Sequence, residues 1–201
     1  MTERSDTCWA IIPIKPANDG KSRLSGVLGP DERKALSDAM LAHVIETARG
    51  ARLITRIALV GSTRPGLAGD ILPLDDPGRG HNPAVQSAFA TVGSKAPGRI
   101  LVIAADLPAV TPQELDLLAA AAQDTVAIAP DRHETGTNAI SLPYPAAADF
   151  MFAFGEDSFA KHKAEADRLG LKTETIFSHG LERDIDEPAD LPDAVAALGK
   201  L

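Results

Sequence analysis

Short runs of apolar residues alternate along the chain with longer segments in which apolar positions recur every three or four residues. The runs Trp9–Ile14, Ile57–Val60, Ile100–Ala104, Thr125–Ala129 and Thr173–Ile176 predict strands. Between them, Leu36, Met40 and Val44, with Ala39 beside them, trace the buried stripe of a helix. Pro30 stands at its first position, Asp31 and Glu32 fill its first turn, and Gly50 ends it. A second helix is expected from about Asn82 to Val92. A third starts at the capping box Thr111-Pro112-Gln113-Glu114, a fourth covers Ser158–Leu169, and a fifth begins near Pro188. Strands separated by helices require crossover connections, which predicts an α/β fold of one domain, residues 1–201, with a mostly parallel sheet and helices on both faces. In such sheets ligands gather at the carboxyl ends of the strands, so the loops after Ile14, Ala104 and Ala129 are where chemistry is expected.

Composition narrows this picture. The chain has 201 residues, 44% of them hydrophobic and only 4% aromatic, so the core is built of Ala, Leu, Ile and Val. A net charge of −8 argues against nucleic acid or an anionic membrane as partner. A single cysteine, Cys8, excludes an intramolecular disulfide framework and a Cys-rich zinc site, and is read as packing rather than nucleophile. No apolar run is long enough to span a bilayer, and MTERSDT lacks the character of a signal peptide; a cytoplasmic protein is expected.

Against the acidic background, residues 11–23, IIPIKPANDGKSR, join a strand to a loop carrying Lys15, Lys21 and Arg23. A flexible loop with backbone N–H groups and clustered positive charge suits a polyphosphate. Asp106 follows a strand directly, where a carboxylate can hold Mg²⁺ together with phosphate oxygens and water; we read it as a metal ligand in preference to a turn aspartate. In RDIDEPADL, residues 183–191, Asp184, Asp186, Glu187 and Asp190 surround a helix start. Acids are favoured there by the helix dipole, and spacing alone ranks that explanation above a metal role for Asp186.

Three further segments carry polar chemistry. DRHETGTNAI, residues 131–140, is read as a loop placing Thr135, Gly136, Thr137 and Asn138 around an oxyanion such as a carboxylate or phosphate. His133 fits that site and a solvated turn equally. In FGEDSFAKH, Gly155 and Ser158 precede a helix whose N–H groups suit a second phosphate, a role compatible with Ser158 as N-cap. Asn82, in GRGHNPAVQSAF, fits a nucleotide base or ribose and a helix cap about equally. His43, His162 and His179 lack partners at ligand spacing and receive no metal role.

Taken in order, IIPIKPANDGKSRLSGVL, HNPAVQSAF, IAADLP, APDRHETGTNAI, FGEDSFAKH and RDIDEPADL resemble the 2-phospho-L-lactate guanylyltransferase family of coenzyme F-420 biosynthesis across nearly the whole chain. The resemblance implies a single-domain, Rossmann-like nucleotide-diphospho-sugar transferase fold of the GT-A type. It implies GTP as co-substrate on Lys15, Lys21, Arg23 and Asn82, Mg²⁺ on Asp106 and Asp186, and Lys21, Arg23, Asp106 and Asp186 as the catalytic set. An acceptor acid would be held by Thr137, Asn138, Gly155 and Ser158; the family's acceptors are 2-phospho-L-lactate, phosphoenolpyruvate and 3-phospho-D-glycerate, and a homodimer follows by analogy. Two departures from the family pattern are His81, where a small or apolar residue is usual, and Glu134, where Gly is common. The competing readings are a nucleotidyltransferase for a sugar phosphate or molybdenum cofactor, and a non-catalytic nucleotide-binding module.

Overall fold

The computed structural model describes residues 7–14, 21–61 and 69–199. Its seven strands are β1 (Cys8–Ile14), β2 (Ile54–Gly61), β3 (Ile71–Leu74), β4 (Arg99–Ile103), β5 (Thr125–Pro130), β6 (Thr137–Pro143) and β7 (Lys172–Thr175). They form one sheet in the order β3-β2-β1-β4-β6-β5-β7. All neighbours pair in parallel except β6, which runs antiparallel to both β4 and β5.

Five of these strands fall on the predicted runs; β3 and β6 are additions. The segment expected as an anion loop at 131–140 is therefore a turn, 131–136, followed by a buried strand that begins at Thr137. Because β6 is reversed, its first residues lie at the same sheet edge as the ends of β1, β4 and β5.

Alternation along β1 separates two cores. Cys8, Ala10, Ile12 and Ile14 pack with α1 (Pro30–Gly50), α3 (Pro112–Ala119) and Leu181 of the short α5 (His179–Glu182). Ile11 faces the other way, toward α2 (His81–Gly93), α4 (Ser158–Arg168) and the phenylalanines Phe150 and Phe152. Helices thus cover both faces, as the periodicity requires. Burial lifts the Cys8 thiol to about 12, consistent with a packing role.

The fifth expected helix starts as a 3-10 turn at Pro188–Asp190 and continues as α6 (Leu191–Leu198). Leu24, Leu36, Met40, Ile185 and Ala194 form a small third cluster beneath it. Gly61 ends β2 at a φ of +124°, where a Cβ would lie 2.1 Å from the Ile14 carbonyl oxygen, so only glycine lets β2 run this close to the end of β1. No helix among the described residues is long and apolar enough to cross a membrane.

Candidate active site

A cavity of about 740 Å³ opens at the sheet edge where β1 and β4 diverge into opposite crossovers. It gathers residues that are far apart in sequence: Lys21 and Arg23, Asp106, the 131–138 segment, the Phe154–Ser158 turn, and Asp184 with Asp186. Lys15 lies outside the described residues.

One wall is charged. Leu24, buried in the third cluster, anchors the 3-10 turn Ser22–Leu24 and leaves Lys21 just before it, in the left-handed region at a φ of 59°. The Lys21 ammonium is drawn between two carboxylates, 2.5 Å from Asp106 Oδ2 and 3.1 Å from Asp186 Oδ1, with its side chain only 9% exposed. Burial alone would lower its pKa; the charges of Asp106 and Asp186 outweigh burial and raise it. Arg23 reaches Asp186 Oδ2 at 3.8 Å from a side chain 69% exposed.

Asp186 is placed by alternation in an extended segment: Ile185 enters the core while Asp184 and Asp186 turn together toward the cavity. Asp190, itself buried, holds the following turn by accepting the N–H groups of Asp186 (2.9 Å) and Glu187 (2.7 Å), and pairs with Arg132 at 2.6 Å. The acid cluster therefore divides its labour: Asp184 and Asp186 face the cavity, Glu187 faces solvent, and Asp190 is structural. Burial lifts the Asp184 carboxyl to about 6, helped by the charges of Asp106 and Asp186 and opposed by the Asn138 amide.

The donor set fits a hard divalent cation. Two carboxylates already grip one positive charge, and a third stands close enough to feel both. Among the described residues no trio of acidic, histidine or cysteine side chains forms a ready-made cage. Such a site suits an ion that completes its shell with phosphate oxygens and water.

The other wall sets neutral hydrogen-bonding groups beside the carboxylates of Asp131 and Glu156. Thr137 and Ser158 are buried residues that line the cavity, and Gly155 adopts a φ of +114°, which a side chain would strain. Asp131 shapes the turn by accepting the N–H groups of His133 and Thr135. Glu134 occupies its left-handed position at a φ of 56°, the conformation glycine prefers, and its exposed side chain is not part of the cavity lining. His133 is likewise exposed, with its ring nitrogen 3.2 Å from the Arg132 guanidinium.

Several assignments of detail change. Asp157, in the left-handed region, is the N-cap of α4, and Ser158 is the first helical residue. The Ser158 and Phe159 N–H groups bind the carbonyls of Gly155 and Thr135, so the helix start is largely spent internally, while Ser158 itself lines the cavity. Asn138 donates to the Leu181 carbonyl (3.0 Å) and Asp184 (3.2 Å), supporting the charged wall from behind. Asn82 exchanges two hydrogen bonds with the Phe154 backbone, at 3.0 and 2.7 Å, and so ties α2 to the turn that carries Gly155. Its neighbour His81 does line the cavity, edge-on to Phe154 at 5.2 Å.

Two residues escaped the sequence reading. Asp184 stands in the sequence only as one of four acids, although the polar–apolar alternation of RDID marks it as facing the same way as Asp186. His162 lacks partners at ligand spacing, yet its place between Phe159 and Ala166 puts it on the buried stripe of α4.

The fold is that of nucleotide-diphospho-sugar transferases. A Desulfovibrio desulfuricans structure assigned to that group superposes with a TM-score of 0.73 at 15% identity, covering 93% of this chain and 85% of its own. A 4-diphosphocytidyl-2C-methyl-D-erythritol synthase structure gives 0.64 at 13% identity, covering 96% of this chain and 99% of its own. Closer in sequence, the phosphoenolpyruvate guanylyltransferase of Sphaerobacter thermophilus is 36% identical, covering 93% of this chain and 92% of its own. The 2-phospho-L-lactate guanylyltransferase of Halorubrum lacusprofundi is 38% identical, covering 91% and 82%. The model of the family described as "Guanylyl transferase CofC like" matches residues 8–197, and the chain belongs to that family.

Proposed function

We propose that this protein transfers GMP from GTP to a phosphorylated three-carbon acid, releasing pyrophosphate, in coenzyme F-420 biosynthesis. The observation that supports this reading is the pairing of two unlike walls in one cavity: a cation–carboxylate cluster, and a second group in which Thr137 and Ser158 stand beside Asp131 and Glu156. The relatives' names favour phosphoenolpyruvate as the first acid to assay, with 2-phospho-L-lactate and 3-phospho-D-glycerate beside it.

In this reading a phosphate oxygen of the acid forms a bond to the α-phosphorus of GTP. The bond from that phosphorus to the bridging oxygen breaks, and the electron pair leaves with pyrophosphate. The attacking oxygen is already anionic near neutral pH, so no general base is needed. The obstacle is repulsion between the two substrates, about 4 kcal/mol for like unit charges 4 Å apart at an effective dielectric of 20. Asp106 and Asp186, with Asp184 beside them, would hold Mg²⁺, which when bound supplies charge neutralisation at the phosphates. Lys21 serves the triphosphate once its two carboxylates are neutralised, and Arg23 adds charge from the rim. Thr137 and Ser158 orient the acid, and Asn82 holds the turn between them. Catalysis is then mainly positioning and charge neutralisation.

The test is pyrophosphate release with GTP or ATP, Mg²⁺ and each of the three acids. Turnover that requires both GTP and one acid is expected. Release that ignores the acid, or an acid-dependent preference for ATP, would overturn the reading.

A further inference from the structure

His162 is fully buried, its ring centroid 4.8 Å from that of Phe154 and 5.8 Å from that of Phe150. Its Nε2 lies 3.0 Å from the backbone nitrogen of Ala153. A backbone N–H can only donate, so Nε2 must accept and carries no proton. A neutral imidazole then bears its proton on Nδ1, which lies 3.0 Å from Thr137 Oγ1. The threonine oxygen is thereby made the acceptor of this bond. Its own hydroxyl proton has to point elsewhere, and Thr137 lines the cavity.

We propose that His162 is a positioning residue for acceptor recognition: by donating from Nδ1 it fixes the Thr137 hydroxyl as a donor toward the cavity, selecting an anionic oxygen of the phosphorylated acid. A threonine hydroxyl left to itself can donate or accept; this one has its polarity set from behind. The aromatic surroundings support the neutral ring, since burial lowers the imidazole to about 4 against a small opposing pull from Glu165. The contact is also rigid. One helical turn before His162, Ser158 also lines the cavity, and the Phe159 N–H holds the Thr135 carbonyl at 3.1 Å. The turn before β6 and the first residue of β6 are thus clamped to α4 at two levels, with Thr137 and Ser158 both lining the cavity.

The inference rests on the acceptor role proposed above, so its first test uses no substrate. Nitrogen-15 NMR of the histidine rings in the folded protein should show His162 protonated on Nδ1 alone at neutral pH. A proton on Nε2 would overturn the proposal whatever the enzyme does. Nδ1 protonation in a protein showing no acid-dependent turnover would instead overturn the acceptor reading, and the selection role with it. The second test separates the two bonds of the ring. His162→Gln can still accept from Ala153 but cannot donate to Thr137, and should raise the KM for the acid about tenfold while leaving the KM for GTP unchanged. His162→Asn places a donor near the Nδ1 position and should restore most of that loss. In a Thr137→Val background, His162→Gln should add little further. Equal changes in both KM values, no rescue by Asn, or full additivity with Thr137→Val would each show a merely structural histidine.

Discussion

The two walls of the cavity are built on different principles. Lys21, Arg23, Asp106 and Asp186 sit on loop ends around the strand termini, and all but Lys21 keep side chains 27–69% exposed. Thr137 and Ser158 belong to regular elements and are less than a tenth exposed, backed by a histidine with no exposure at all. Charge acts over distance and tolerates small displacements, so an open wall of ions can accept a mobile polyphosphate. A hydrogen bond tolerates little, so the wall that under the proposed function would tell one small acid from another is held by packing and by a defined proton direction. Strength of interaction is concentrated on one side and selectivity on the other.

Breaking the charged wall should have the largest effect. Asp106→Asn and Asp186→Asn are each expected to lower kcat about a hundredfold or more while leaving the circular dichroism spectrum intact. Either variant within threefold of wild type at saturating Mg²⁺ would show that this wall is not where the chemistry occurs.

Next comes the joint between the walls. Asp190→Ala leaves Arg132 and two backbone N–H groups without their partner, and should cost about 3 kcal/mol in urea denaturation as well as loosening Asp186. Although burial works against it, the N–H of Glu187, the Arg132 guanidinium and the N–H of Asp186 hold the Asp190 carboxyl below its ordinary range. Its contribution is therefore complete above about pH 4 and lost as pH falls through the depressed folded value, so the gap between variant and wild type should close in acid.

The smallest effect has the opposite sign. Asp184 has a folded value of about 6, above its unfolded one, so the native state binds its proton more tightly and wild-type stability falls as pH rises from about 4 to 6. Asp184→Asn should add about 1–2 kcal/mol at pH 7, partial exposure tempering the gain, and lose that advantage below about pH 4. Thermal melts at the two pH values check it. A variant both more stable and less active would show that the charged wall is held under electrostatic tension for function.

Most of the architecture was legible because most elements announce themselves locally. Helix α3 begins at the capping box that Thr111 and Glu114 spell out, and α1 runs between the expected Pro30 and Gly50. The two missed strands break local rules. β3 contains Pro73, tolerated because the strand lies at the sheet edge and needs partners on one side only. β6 opens with Thr-Asn, ends in Pro143 and is buried on both faces, so it has neither the composition nor the alternation of a typical strand. Lys21, Arg23, Asp106, Thr137, Gly155 and Ser158 all reach the cavity. What sequence could not reveal is which polar groups are already spent: Asn82 on Phe154, Asn138 on Asp184 and Leu181, Asp190 on the backbone. The asparagine commitments are made across dozens of residues and become visible only once the chain is folded, whereas that of Asp190 is local, to the N–H groups three and four residues before it.

The reversal of β6 has a consequence for how such an enzyme can change. The parallel neighbours β1 and β2 are joined by a crossover that travels the length of α1, so altering the working loop there disturbs the packing of a whole layer. Between β5 and β6 the chain instead turns back within six residues, 131–136, without leaving the cavity's rim. That short hairpin turn is a cassette. Its exposed residues His133 and Glu134 can change while strand order and both hydrophobic layers stay as they are; Arg132, which pairs with Asp190 behind Asp186, is the tie to the charged wall. Under the proposed function, acceptor choice can drift at those two positions within a guanylyl-transferring scaffold whose charged wall is left untouched.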